Sequence, residues 1–194
     1  MISLVLDTSM QYLVLGLMNE KEILAKIQKE IPKRQSEEIF VGLNELLEQS
    51  NLDVEDIQQV VVTDGPGSYT GVRIALTIAK VFASLKQLPL YTISSLQLIC
   101  GLRSGKVILD ARGKRVYTAE FEQGKQISES TIEEIATLDQ TKTYLGDLKL
   151  LGQQNEELDL VQHFFDLQSH WHLEQNVDHV KPNYLKANEA YLVK

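Results

Sequence analysis

The sequence predicts an α/β protein of two lobes, with an abbreviated second lobe, and three observations lead to this fold class. The first is a run of three extended segments followed by alternating helices and strands. The second is a partial repeat, because residues 107–111 match residues 4–8 in pattern. The third is a length of 194 residues with 43% hydrophobic content, which can bury a core in two small lobes. The predicted lobes are residues 1–103 and 104–194, and the tail from about residue 181 is expected to pack back on the first lobe.

The first lobe is predicted to begin with three strands and to continue with alternating helices and strands. Apolar runs between polar turns indicate the strands, and Ile39, Leu43, Leu46 and Leu47 at helical spacing indicate the first helix, with Ser36 as its N-cap. The predicted elements are strands 2–6, 12–18 and 23–27, helix 36–50, strand 57–62, helix 70–86, strand 89–93 and helix 94–102. This order is that of the actin-like ATPase lobe, which is related to ribonuclease H, and the analogy concerns the fold alone.

The second lobe repeats only the beginning of this pattern. Strands are predicted over residues 107–111, 115–121 and 125–130, with a turn around Gly124. Beyond residue 131 the repeat fades, residues 149–152 are a candidate strand, and no second glycine-rich loop follows. The second lobe is therefore expected to be abbreviated.

Composition limits the partners and the compartment. A formal net charge of -8 repels phosphate backbones, so binding to RNA or DNA without help is not expected. Cys100 is the only cysteine, which excludes an intramolecular disulfide and fits a reducing interior. The first residues lack a basic leader and no apolar run reaches membrane-spanning length, so a cytoplasmic protein is expected.

Two aspartates end corresponding strands of the two lobes. Asp7 and Asp110 occupy the positions at which actin-like ATPases place their phosphate-binding loops. The turn that follows Asp7, residues 8–10, lacks the glycine that lets backbone amides approach a phosphate. The alternative is that each aspartate caps a strand or forms a turn.

The glycine-rich loop at residues 65–71 matches no nucleotide fingerprint. No lysine precedes Thr70 as in a P-loop, and the glycine spacing differs from GxGxxG. Pro66 replaces the first glycine of GxSxG around Ser68, which disfavours a nucleophile elbow. The glycines are therefore interpreted first as a tight turn from a strand to a helix.

The helix after this loop is apolar over most of its circumference. Its polar positions form one narrow stripe that includes Arg73, Thr77, Lys80 and Ser84. A helix that covers only its own sheet needs an apolar arc on one side, so this pattern predicts burial on two sides. The second covering surface is either this chain or another chain.

The four histidines do not predict a metal site. His163, His170, His172 and His179 fall in a polar segment without a cysteine to complete a ligand set. A solvated surface is the simpler interpretation, and no metal is expected.

Four motifs, in order and spacing, resemble the TsaB (YeaZ) family. They are "LVLDTS", "GPGSYTGVRIA", "LDARGKRVYTAEF" and "KPNYLK", and the resemblance covers residues 2 to about 121 and then 182–186. It implies an accessory subunit of the machinery that makes threonylcarbamoyladenosine beside the anticodon of tRNAs reading ANN codons. Its direct partner would be TsaD, the larger catalytic relative, and a third subunit, the ATPase TsaE, would join the pair.

The resemblance also implies what individual residues do. TsaD carries a metal-binding HxxxH pair, whose positions fall on Ser95 and Ile99 here, so the chain is expected not to be an enzyme. ATP or ADP would bind at the junction with partners, with Asp7, Gly65 and Gly67 as weak candidates for contact. The chain would reach tRNA only through the complex. The interface with TsaD, or with a second copy when the chain is alone, would involve Ile39, Leu43, Leu46, Leu47, Val72, Ala75, Ile78, Ala79 and Phe82.

The sequence departs from the family at one position, and two alternative functions are considered beside the family's. Many members have Arg-His-Ser-Glu where this chain has Arg34-Gln35-Ser36-Glu37, which removes any role for that histidine. The first rival is a small actin-like ATPase or kinase that uses Asp7 and Asp110 with a metal. The second rival, a metallopeptidase, requires metal ligands that the sequence does not supply.

Overall fold

Two β-sheets organise the chain, and the computed structural model describes residues 1–31, 35–139 and 141–185. The strands are β1 Ser3–Asp7, β2 Tyr12–Met18, β3 Ile23–Glu30, β4 Gln59–Gly65, β5 Leu90–Ser94, β6 Gly105–Asp110, β7 Arg115–Glu122, β8 Lys125–Gln126, β9 Thr131–Glu134, β10 Tyr144–Gly146 and β11 His172–Leu173. The helices are α1 Gln35–Ser50, α2 Tyr69–Lys86, α3 Ser95–Cys100 and α4 Leu160–Asp166. Short 3₁₀ turns lie at Val54–Asp56, Ile135–Thr137, Leu148–Leu151, Gln168–His170 and Val177–His179.

The first sheet has the strand order β11-β5-β4-β1-β2-β3. β1 and β2 and then β2 and β3 are antiparallel, whereas β1 and β4, and β4 and β5, are parallel. The central residues of β1 and β4 are apolar because both faces of these strands are covered: Val60 and Val62 enter one core cluster and Val61 the other. A meander followed by parallel crossovers is the predicted actin-like, ribonuclease H-like lobe, which is confirmed.

The second sheet has the order β10-β6-β7-β8, and β9 also pairs with β7. β6 and β7 repeat the first hairpin of the first lobe, so the abbreviated second copy is present. The strand predicted at residues 149–152 is wrong, because Leu148–Leu151 forms a 3₁₀ turn that ends at Gly152 in the left-handed region (φ 74°). That turn directs Leu148 into the core beside Tyr144, and the strand is β10 instead.

The chain returns to the first lobe earlier than predicted. From Leu160 onward, α4 packs its buried face against Val5, Val14 and Met18 on the far side of the first sheet. β11 then extends the same sheet by pairing with β5. Residues 160–173 therefore belong to the first lobe by packing, and the predicted lobe of residues 104–194 is divided before α4.

α1 and α2 lie together on the other face of the first sheet and cover one core cluster. α1 begins at Gln35, so Ser36 lies within its first turn and does not cap it. The N-cap of α2 is Ser68, whose hydroxyl accepts the N–H of Gly71 at 3.3 Å. Among the described residues no helix is long and apolar enough to cross a membrane.

Residues 177–185, here called the C-terminal strap, cross one flank of α2. The Lys80 ammonium donates to the carbonyl oxygens of Asp178 (2.8 Å) and Val180 (3.0 Å). The backbone N–H of Asn183 donates to the carbonyl of Asp64 at 2.8 Å, and Tyr184 stacks on Tyr69 with ring centroids 5.3 Å apart. The strap thus contacts α2 at Lys80 and Tyr69, whereas Arg73, Thr77 and Ser84 of the polar stripe stay exposed. Residues 186–194 of the predicted tail lie outside the described residues.

Replacing Lys80 by Met is expected to release the strap and leave the sheet intact. The substitution keeps the aliphatic stem but removes two hydrogen bonds from a charged donor, which together stabilise the strap by about 1–3 kcal/mol. Hydrogen exchange should speed up at Val180 and Asn183 and stay slow at β1. Unchanged protection at both strap amides would show that Lys80 does not anchor the strap.

Candidate functional site

The carboxyl group of Asp7 is sealed inside the protein at the end of β1. Its Oδ1 accepts the backbone N–H of Ser9 at 2.9 Å and the hydroxyl hydrogen of Thr63. Its Oδ2 is buried and has no hydrogen-bond partner among the described residues. Burial is the largest effect on this group and raises the pKa of Asp7, which favours the neutral acid. The predicted phosphate-loop aspartate therefore points into the core.

Asp110, its predicted counterpart in the second lobe, is exposed and forms a turn. Its Oδ1 accepts the backbone N–H of Arg112 at 2.7 Å, and its own backbone N–H donates to the carboxylate of Asp147 at 2.8 Å. One aspartate is enclosed and the other makes a local turn. The two carboxyl groups thus have different surroundings, which disfavours the ATPase or kinase alternative that uses both.

The glycines of the loop leave space that the chain itself fills. The hydroxyl of Thr8 donates to the carbonyl of Gly71 at 2.7 Å, and the N–H of Ser68 donates to the carbonyl of Ser9 at 2.7 Å. A Cβ added to Gly71 would lie 1.9 Å from the Thr8 carbonyl oxygen, and one added to Gly67 would lie 2.4 Å from that of Ser9. Backbone packs on backbone here, so these glycines serve the joint between β1 and α2.

Gly65 is needed for its backbone conformation and for its contact with the strap. Its φ of 108° lies in the left-handed region, and an added Cβ would lie 3.3 Å from the carbonyl oxygen of Asn183 in the strap. Of the three residues predicted as weak nucleotide contacts, Asp7 and Gly67 both lie against Ser9, whereas Gly65 lies against Val72 and the strap. What surrounds them is this chain's own backbone and buried side chains.

Ser95 and Ile99, which the resemblance to TsaD predicts in place of a metal-binding pair, are core residues. Ser95 is fully buried and donates to the hydroxyl oxygen of Ser9 at 2.8 Å, and Ile99 is 2% exposed within an apolar cluster. His163 lies elsewhere, on α4, where its Nδ1 is 2.7 Å from the carbonyl oxygen of Leu98 and burial lowers its pKa. The described residues contain no group of three or more His, Cys, Asp or Glu side chains that could hold a metal.

Five of the nine residues predicted for the partner interface are instead part of the core. The sheet already covers their side chains, so a partner could not reach them without unfolding the lobe. They are Ile39, Leu46, Val72, Ala75 and Ala79, each at most 2% exposed. The other four, Leu43, Leu47, Ile78 and Phe82, are half-buried at the edge of the same cluster.

The large apolar side chains that α1 and α2 do expose are Phe40, Val41, Val81 and Leu85, at 59%, 58%, 52% and 80%. We call these four residues the apolar helix surface. The expectation that α2 is apolar on two sides is consistent with this arrangement, but the individual residues were missed. The polar stripe could have located the two residues of α2, since Val81 and Leu85 follow Thr77 at steps of four residues and so share its exposed face.

A second buried carboxyl group ends β4. The Oδ1 of Asp64 is buried and has no hydrogen-bond partner among the described residues. Burial, together with the nearby charge of Glu174, raises the pKa of Asp64 to about 7. This burial was not predicted from the sequence, because an aspartate before a Gly-Pro turn is ordinarily exposed.

These features define a class: a two-lobed actin-like α/β protein with a structural glycine loop and an exposed apolar pair of helices. The family model described as "TsaD: tRNA N6-adenosine threonylcarbamoyltransferase" matches residues 23–178. The tRNA threonylcarbamoyladenosine biosynthesis protein TsaB of Bacillus subtilis is 32% identical over 136 residues, which are 66% of this chain and 58% of that protein. The Escherichia coli TsaB is 28% identical over 127 residues, 62% of this chain and 54% of the relative.

The chain belongs to the TsaB (YeaZ) family, within the group that the TsaD model describes. The matched region spans somewhat more than half the length of these two curated relatives. The solved structure of YeaZ from Pseudomonas aeruginosa superposes with a TM-score of 0.74 at 20% identity, covering 95% of this chain and 99% of that one. That likeness concerns the fold.

Adding a methyl group at Gly71 is expected to break the joint between β1 and α2. Gly71→Ala should lower the free energy of unfolding by about 3 kcal/mol or more, because the added Cβ meets a backbone oxygen that cannot move without β1. Urea denaturation measures the loss, and Thr77→Ala on the exposed side of the same helix is the control, expected to be nearly neutral. Equal effects of the two substitutions would refute the close packing.

Asp64 makes the protein less stable as the pH rises. Because its folded-state pKa is about 7 against 3.8 for the free residue, the native state holds a proton that the unfolded state releases between these values. Asp64→Asn cannot ionise and should be about 1–3 kcal/mol more stable than wild type at pH 8, with little difference at pH 4. Thermal denaturation at both pH values tests this, and the exposed Asp178→Asn should show no such pH-dependent gain.

Proposed function

We propose that this chain is a non-catalytic partner of TsaD in the formation of threonylcarbamoyladenosine on tRNA. The observation that carries the proposal is the apolar helix surface, whose four large side chains are more than half exposed. The family supplies the context, since the similar TsaB proteins are named for tRNA threonylcarbamoyladenosine biosynthesis.

Exposed apolar side chains on two neighbouring helices favour a protein partner. Scattered single apolar residues are ordinary on a surface, but a cluster on adjacent helices marks a binding site. Phe40 and Val41 are on α1 and Val81 and Leu85 are on α2, and these two helices contact each other. Half-buried Leu43, Leu47, Ile78 and Phe82 of the same helices pack against the core cluster below. A matching pair of helices from TsaD, or from a second copy when TsaD is absent, would bury this surface.

The absence of catalysis is supported by the two places where a catalytic group would be expected. Asp7 is enclosed by Ser9 and Thr63, and burial favours its neutral form. Ser95 and Ile99 are core residues at the positions of the metal-binding pair of TsaD. Neither place offers a solvent-accessible ligand or base.

The remaining parts of the assembly follow from the same proposal. ATP or ADP would bind at the junction with TsaD and TsaE and not within this chain, because the space at Gly67 and Gly71 is filled by backbone. A net charge of -8 opposes tight binding of tRNA to the isolated chain, so tRNA would be held chiefly by the complex.

A charge on the apolar helix surface is expected to prevent assembly with TsaD. Leu85→Asp should weaken co-purification with the cognate TsaD, and the dissociation constant should rise about 100-fold, because a partner would bury a charge without a counter-ion. Ser84→Asp is the matched control: it adds the same charge at the next exposed position, about 100° around the helix on the polar flank.

Both variants should unfold at the wild-type temperature, since both positions face solvent. If Leu85→Asp binds TsaD as tightly as Ser84→Asp does, the interface lies elsewhere. If the isolated wild-type chain hydrolyses ATP, and Asp7→Ala abolishes that turnover, the ATPase alternative replaces the proposal.

A further inference from the structure

A cavity of about 340 Å³ opens on the second sheet, away from the apolar helix surface. Its lining includes Lys106, Thr118, Glu120, Ser128, Glu129 and Glu133. Its volume is within the range of small-molecule sites in proteins, about 300–1,000 Å³. None of the functional roles proposed for this family member uses these residues.

The cavity arises where β7 lacks a strand partner on the side away from β6. On that side β9 pairs with β7 up to Thr118 and β8 pairs with it from Phe121, so Ala119 and Glu120 have a neighbouring strand only in β6. There the backbone N–H of Glu120 donates to the hydroxyl of Ser128 at 2.8 Å, and its carbonyl accepts the N–H of Ile127 at 2.8 Å. The backbone hydrogen-bonding groups of Glu120 at this edge of β7 are thus paired, and an opening remains between β8 and β9.

Thr118 brings an unsatisfied polar group to this cavity. Its side chain is 1% exposed, and its Oγ1 is buried without a hydrogen-bond partner among the described residues. A buried hydroxyl without a partner is unusual in a folded protein and destabilises it by about 1–3 kcal/mol. An N–H donor that enters the cavity would satisfy the hydroxyl oxygen.

The charges around the cavity favour a cation. The Lys106 ammonium is already held by both carboxylate oxygens of Glu133, at 2.7 and 3.0 Å, and both side chains are largely buried. Glu120 and Glu129 then leave the lining negative. An anion would be repelled by these carboxylates, whereas an ammonium group would be attracted and has three N–H donors.

A second cavity of about 270 Å³ adjoins the first and shares Lys106 and Glu120 with it. Its lining includes Ile127, an apolar side chain that is 57% exposed. Such a surface suits methylene groups. Lys142 lies on this side, 3.8 Å from a carboxylate oxygen of Glu120, and would compete with a bound cation for that glutamate.

We propose that this pair of cavities is a binding site for an alkylammonium ligand of the polyamine class. One ammonium group donates to Thr118 Oγ1 and to the carboxylate of Glu129 or Glu120, and the methylene chain lies along Ile127. The site is separate from the apolar helix surface of α1 and α2. A failure of the proposed function would therefore not affect this proposal, and a failure of this proposal would not affect the proposed function.

Isothermal titration calorimetry with spermidine at low ionic strength tests the site. Wild type is expected to bind one spermidine saturably, and Thr118→Val to weaken binding about tenfold by removing the hydroxyl while keeping the shape. Thr118→Val should unfold at the same or a higher temperature, because an unsatisfied buried group is lost. Lys142→Ala should tighten binding, because it frees Glu120.

A matched pair of charge variants separates a built site from general attraction to an acidic protein. Glu129→Gln and Glu122→Gln remove the same charge from exposed positions, and only Glu129 lines the cavity. The proposal expects Glu129→Gln to weaken binding several-fold and Glu122→Gln to leave it nearly unchanged.

Three results would overturn the proposal. They are no saturable spermidine binding, equal losses in the two glutamine variants, and binding of N-acetyl-lysine amide as tightly as spermidine. The last result would identify a pocket for a single ammonium group in place of a polyamine site.

Discussion

The joint between the Asp7 turn and the glycine loop is the contact on which the rest of the first lobe depends. Thr8 and Ser9 lie against Gly71 and Gly67 at distances that no side chain could occupy, and two hydrogen bonds of 2.7 Å fix this contact. It sets where α2 begins and how it lies on the sheet. It also encloses Asp7, since the same turn supplies the N–H that the Asp7 carboxyl accepts. A loop that resembles a phosphate cradle in sequence is thereby a structural joint.

With α2 held in this way, the strap determines which of its faces remains open. The strap covers α2 around Lys80, which donates to two strap carbonyls, and leaves Val81 and Leu85 exposed together with the polar Thr77 and Ser84. α2 thus presents large apolar side chains to water beside the polar side chains that a surface helix normally exposes. Exposure of apolar side chains is costly unless another molecule covers them, so the arrangement links the fold of the monomer to its assembly.

Several buried polar groups lack hydrogen-bond partners. Asp7, Asp64 and Thr118 each have a buried oxygen without a hydrogen-bond partner among the described residues. For the two aspartates the neutral acid lowers the cost of burial, as the raised pKa values indicate. A threonine hydroxyl has no such alternative state, which is why its position in a cavity points to a ligand.

The sequence by itself determined the order of strands and helices in the first lobe, the turn-forming glycines and the apolar circumference of α2, because these depend on local periodicity and backbone freedom. It did not determine which apolar residues are exposed: Ile39 and Phe40 are adjacent, and only their angle to the sheet separates 0% from 59% exposure. It also missed β10 and the return of α4, which depend on long-range packing against Ile108 and Val14. Tertiary structure decided these points, since contacts between distant segments set the rotation of each helix and the burial of each polar group.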